Sequence, residues 1–204
     1  MELVVAISVI TIGLFSVWNL FIYNFNGEQE AGARILAVNL AREGIEIVKN
    51  MRDSNWLAIE NNDSCSYNGA ISNPCHWDSG LIGDGTAIIA NMFSENVYLD
   101  YSSVVDINDE ATWLYIDPTL GLYSHDNSGQ LTRYRRLIIL KNLCCADADS
   151  NLKCDNISVD FSVRDAACLV SELKVGLDIQ SIVHWQIKSQ DRELTVNNRI
   201  YNWK

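Results

Sequence analysis

Proline, positive charge and internal repetition are all scarce in this chain. Only 2 prolines occur in 204 residues, and no low-complexity run or repeat interrupts the sequence. Lysine and arginine total 15 against 26 aspartates and glutamates, a formal net charge of -11. A surface of that sign repels phosphate backbones and anionic headgroups. No nucleic-acid partner is therefore expected, and no docking on lipid through basic patches. The histidines, His76, His125 and His184, lie far apart. No Ser/His/Asp or Cys/His spacing, phosphate-binding loop or dinucleotide fingerprint occurs. The chain is expected not to be an enzyme and to need no cofactor.

The longest absence is of charge. After Glu2 none appears until Glu28 and Glu30. As a helix rising ~1.5 Å per residue, residues 3–23 would measure about 32 Å, enough to cross a bilayer core. A cleaved secretory signal has a basic start, a shorter apolar run and a small-residue cleavage site. None is found here, so the segment is expected to stay as a membrane span. Ser8, Thr11 and Ser16 are tolerable within it because their hydroxyls can bond back to the preceding turn.

Beyond a soft spot at residues 24–27 the helical pattern resumes. Ala31, Ile35, Val38, Ala41, Ile45, Val48 and Met51 form one apolar row, with Leu36, Leu40, Ile47 and Met51 beside it. Glu28 and Glu30 suit the N-terminal end of this segment, and Lys49 and Arg52 its C-terminal end. The first ~53 residues thus read as one long helix, or two nearly collinear ones. Residues 1–27 are its apolar half and residues 28–53 its amphipathic half. The stripe on the second half must be buried against something.

Residues 54–112 show weak periodicity and many Asn, Asp, Ser and Gly, so they read as an irregular, variable region. Residues 113–204 carry β patterning. Thr112 to Ile116 and Leu122-Tyr123 flank a turn and predict a hairpin. Residues 131–141 and 156–163 read as strands, and residues 174–188 as a long one. In the last, apolar residues hold the odd positions, with Ser181 the exception and a bend expected there. A turn at residues 189–192 leads to a final strand with Leu194, Val196 and Ile200. The expected class is α+β, a long N-terminal helix packed on a C-terminal antiparallel sheet.

The N-terminus resembles that of a type IV pilin or pseudopilin. Glu2-Leu3-Val4-Val5-Ala6-Ile7, followed by Ile10-Thr11-Ile12-Gly13-Leu14, is similar to the prepilin cleavage and methylation motif of PilV-like minor pilins. Residues 39–46, 114–117, 121–123, 132–136, 183–185 and 201–203 resemble that family more loosely. The resemblance implies a basic leader removed after a glycine by a prepilin peptidase, which also methylates the new N-terminus. It implies a single-pass inner-membrane (cytoplasmic-membrane) protein with an extracytoplasmic C-terminal domain. An inner-membrane assembly platform would then deliver it to other pilin subunits, in a surface pilus (fimbrium) or a periplasmic pseudopilus serving type II protein secretion. The family's glutamate corresponds to Glu2, which would meet the charged N-terminus of a neighbour. An intramembrane carboxylate needs such a cation. Against the family pattern, three mature residues and the leader are missing before Met1, so a truncated chain or a misplaced start is expected. The helix-bending proline of major pilins is also missing, with Asn19 near its place, which favours a minor subunit.

Cys65, Cys75, Cys144, Cys145, Cys154 and Cys168 point to disulfides in an exported domain, with the connectivity open. Cys65 with Cys75 would close one short loop, and Cys144 or Cys145 with Cys154 another. Zinc held by Cys75-His76 beside a cysteine pair is the lesser reading. Asp147, Asp149, Asn151 and Asp155 resemble the first part of a calcium loop. Leu152 replaces its glycine and Ser158 its final glutamate, so an acidic surface loop is preferred. The functional alternative to a filament subunit is a membrane-anchored extracytoplasmic binding or adhesion module that does not polymerise. Trp56, Trp77, Trp113 and Tyr123 would be its contact residues.

Overall fold

Among the described residues of this computed structural model, one α-helix, α1 (Glu2–Asn61), precedes ten strands. Residues 2–67, 70–90, 97–101, 106–146 and 162–202 are described. The strands are β1 (Cys65–Tyr67), β2 (Ala70–Ser72), β3 (Asp84–Ala90), β4 (Tyr98–Asp100), β5 (Trp113–Ile116), β6 (Tyr123–Ser124), β7 (Gln130–Ala146), β8 (Ser162–Arg164), β9 (Glu172–Ile187) and β10 (Gln190–Tyr201). The chain divides into two units, Met1–Leu36 and Ala37–Lys204.

In the first unit α1 passes through Asn24, Asn26 and Gly27 unbroken. A glycine costs a helix only about 1 kcal/mol relative to alanine, too little to end one with strong formers on both sides. Side chains of residues 2–29 are exposed all round, from Leu3 at 72% through Leu14 at 64% to Phe25 at 52%. The hydroxyls bond back as expected: Ser8 to the Val4 carbonyl at 2.7 Å, Thr11 to Ser8 at 2.9 Å and Ser16 to Ile12 at 2.9 Å.

In the second unit α1 buries Ala37, Leu40, Ala41, Gly44, Ile45, Val48 and Asn55. Of the rows read from sequence, Leu40, Ala41, Ile45 and Val48 are buried, Val38 and Met51 only half-buried, and Ala37 joins the stripe. The helix also runs past residue 53. It closes where Asn62 turns left-handed at φ 56°, with the Asn62 N–H on the Ile59 carbonyl and the Asp63 N–H on that of Ala58.

The main sheet has the order β10-β9-β7-β3-β4, with β5 and β8 also on β7. Strands β7, β9 and β10 form a meander whose pairing is antiparallel throughout. Leu177, Ile179, Val183 and Trp185 are buried at odd positions of β9, as the alternation requires. Ser181 is buried with them, and the pairing of β9 with β7 and β10 runs through it without a register shift. A Cβ placed on Gly44 would stand 2.7 Å from Ile138 Cδ1 and 2.9 Å from Ser181 Oγ. The small serine sits under the small glycine, which lets the helix backbone come close to the sheet. The irregularity falls instead between Leu143 and Cys144, where β9 carries an extra residue.

The region read as irregular holds four strands. β1 and β2 form a hairpin, β3 pairs with β7 from Ala87↔Ile138 to Asp84↔Lys141, and β4 pairs with β3. Ala87, Ile89 and Leu99 belong to the same core as Ile45, Val48, Ile138, Leu140 and Leu177. These strands are short, and β3 is buried without clear alternation, so period-two patterning does not mark them. The β5–β6 hairpin forms as expected, with Tyr115 opposite Ser124. Its loop is held by Asp117, whose carboxylate accepts the N–H groups of Leu120 at 3.0 Å and Thr119 at 2.6 Å. These bonds keep the Asp117 carboxyl below its usual pKa. The last turn is tighter than expected. Lys188 and Ser189 alone reverse the chain, both at positive φ, so Asp191 and Arg192 already lie in β10.

Candidate functional site

The apolar surface of residues 3–25 is the largest candidate. Glu2 opens α1 with its side chain exposed, at the helix end where the dipole favours a carboxylate. Residues 3–25 bring no catalytic or metal-binding group to it.

What fixes the later part of α1 is a charged contact beneath it. Arg136, on β7, has a fully buried side chain. Its Nη1 donates to Glu43 Oε2 at 2.9 Å and to the Leu40 carbonyl at 3.2 Å. Burial holds the guanidinium pKa below its usual value, an effect that the Glu43 carboxylate offsets only in part. His125 lies next to this pair, its ring nitrogens 3.1 Å from the Ile89 carbonyl and 3.2 Å from that of Arg136. Burial, together with the Arg136 charge, pushes His125 down to about 3. The ring is neutral at ordinary pH, so only one of its nitrogens donates. The sequence reading grouped Arg136 with its neighbours as a sheet motif and missed this contact. The available signal was a lone arginine on a strand face that also presents Tyr134 and Ile138.

Cys65 is disulfide-bonded to Cys75, with Cα atoms 5.1 Å apart. Cys144 is bonded to Cys168 at 5.6 Å, which excludes the expected Cys144–Cys154 alternative. The register explains it: Cys144 stands opposite Lys174, so the segment entering β9 brings Cys168 beside it. Cys145 is also disulfide-bonded. Cys154 and the calcium-like set Asp147, Asp149, Asn151 and Asp155 lie outside the described residues.

Cys144, Cys168 and Glu172 cluster within 4.8 Å. The two sulfurs are spent in a disulfide, and Glu172 accepts from Arg164 at 2.6 Å and from the Leu169 N–H at 3.0 Å. The trio is therefore a structural knot rather than a metal site. Cys75 is likewise consumed, which removes it as a zinc ligand beside His76.

A cleft of about 560 Å³ lies among Tyr67, His76, Asp78, Gly83, Asn142 and Lys174. Its Asp78 and Lys174 are committed to each other at 2.7 Å. A smaller one of about 230 Å³ separates Ile47, Met51 and Asn55 from Tyr67 and Val97. Of the candidate contact aromatics, Trp77 packs on the core under Lys174, and Trp113 lies under the Arg135 guanidinium at 4.0 Å. Trp56 and Tyr123 are half-buried. No family model matches the chain, and no curated protein or solved structure matches it.

Proposed function

We propose that this chain is a structural subunit of a type IV pilus or a type II secretion pseudopilus, a minor pilin or pseudopilin. Residues 3–25 of α1 hold it in the membrane and then pack against the same helix of neighbouring subunits. One observation carries the reading. α1 is long and apolar enough to cross a membrane, and it is greasy on every side over residues 3–25 while its later stripe is already used by its own sheet. Helices apolar all round require an apolar environment on all sides, from lipid or from other helices. The resemblance of residues 2–14 to the prepilin motif selects helices. Glu2 would neutralise the amino terminus of a neighbour, and a prepilin peptidase and membrane platform would process and extract the subunit.

Glu2→Ala tests the role of the carboxylate. With the assembly machinery present, incorporation into sheared filaments, counted by mass spectrometry, should fall by about tenfold or more, equivalent to about 1.4 kcal/mol. Thermal unfolding of the sheet unit should not change. Normal incorporation would remove Glu2 from the mechanism. A wild-type chain that stays a monomeric membrane protein beside a working platform would instead favour the anchored binding module.

A further inference from the structure

β10 is an edge strand with one strand neighbour among the described residues. It pairs with β9 from Gln190↔Ile187 to Tyr201↔Gly176 without a register shift. It contains no proline and no bulge, two of the devices that blunt an edge. The phase of its backbone follows from the turn. A two-residue hairpin loop is flanked by a hydrogen-bonded pair, here Ile187 and Gln190, so the even residues of β10 exchange bonds with β9. The Asn202 N–H bonded to the Val175 carbonyl at 2.8 Å agrees with that phase. The N–H and C=O groups of Asp191, Glu193, Thr195, Asn197 and Arg199 consequently point away from β9. All five side chains are exposed on one face.

The charges along this edge have a symmetry. Acids stand near the turn, at Asp191 and Glu193, and a base at the far end, Arg199. Arg199 bonds Asp178 at 2.9 Å, and its side chain is still 51% exposed. Two such strands laid antiparallel about an axis at Val196 place Glu193 opposite Arg199 of the second copy, twice. Thr195 then faces Asn197. Both are pairs of outward-pointing residues, the class that exchanges hydrogen bonds in an antiparallel ladder. A parallel pairing loses this match, and an axis at Thr195 would pair Asp191 with Arg199 but leave Glu193 facing Asn197. We propose that β10 pairs antiparallel with β10 of a second copy of this chain, about a twofold axis at Val196. The proposal stands independently of the filament reading.

Association through α1 would mask a simple mass measurement, so the readout must be local. Amide hydrogen exchange of the full chain in detergent, at two protein concentrations, supplies it. The amides of residues 193, 195, 197 and 199 should gain at least about tenfold protection at the higher concentration. Those of the even residues, already bonded to β9, serve as the internal check on folding. Glu193→Arg should abolish the gain by placing like charges opposite one another. Thr195→Pro should also abolish it, because it removes an outward donor and no β9 bond, while Thr195→Val should keep it. Equal exchange of the odd amides at both concentrations, or a gain that survives Glu193→Arg, would overturn the proposal.

Discussion

Residues 3–25 and 37–55 belong to one helix and meet the world in opposite ways. The first stretch carries Leu, Ile, Val, Phe and Trp on every side, exposed, and one glycine, Gly13, with open space around it. The second has a narrow stripe of small residues, a glycine pressed on the sheet and a glutamate reaching a buried arginine. The contrast shows where a chain has satisfied itself and where it has not. Tight, specific, partly polar contacts mark the surface settled within the subunit. Large, nonspecific apolar side chains mark the surface that the subunit itself leaves uncovered.

The comparison can be broken most severely at the buried charge. Glu43→Ala leaves the Arg136 guanidinium without its counter-charge and should destabilise the sheet unit by about 3–5 kcal/mol. Glu46→Ala, which breaks the exposed pair with Lys49, should cost at most about 1 kcal/mol. Thermal unfolding followed by near-ultraviolet circular dichroism separates the two.

Acid acts on the same place. The folded chain excludes a proton from His125 down to about pH 3, while the unfolded histidine takes one near 6.5. The unfolded state therefore binds more protons between those values, and stability must fall as pH drops through that window. The loss should be on the order of 5 kcal/mol at its full extent, of which about 3 kcal/mol falls above pH 4. Denaturant midpoints measured from pH 7 to pH 4 should show it, with a shallower slope in His125→Gln.

The glycines give a smaller contrast with a change of sign. Gly44→Ala forces a methyl against Ile138 and Ser181 and should cost about 1–3 kcal/mol. Gly27→Ala meets nothing and should raise helix stability by up to about 1 kcal/mol. Both are read from helical circular dichroism during melting in detergent. Equal effects at the two sites would mean that the later half of α1 is not held as described.

The parts of the fold that sequence revealed are those with long regular patterns. The uncharged run to Gly27, the alternation in β9 and the hairpin around Asp117 each span enough residues for periodicity to speak. β3 was hidden because its seven residues are mostly small or apolar and the buried ones, Ala87, Ile88 and Ile89, are consecutive rather than alternating. The register of the α1 stripe slipped at Ala37 because Val38 beside it is at least as apolar. Only the sheet below, which admits small residues, decides between them. Arg136 was hidden for a related reason: a buried charge looks like a surface charge until its partner, ninety-three positions away, is seen beside it.

The central claim is that residues 3–25 are covered by copies of themselves. Single cysteines placed in turn along that stretch, cross-linked in cells with the assembly machinery present, test it most directly. The account predicts cross-linked oligomers from positions on all sides of the helix, Leu14 and Phe15 as much as Trp18, weakened together by Glu2→Ala. Monomers at every position, with the machinery active and the chain in the membrane, would contradict it.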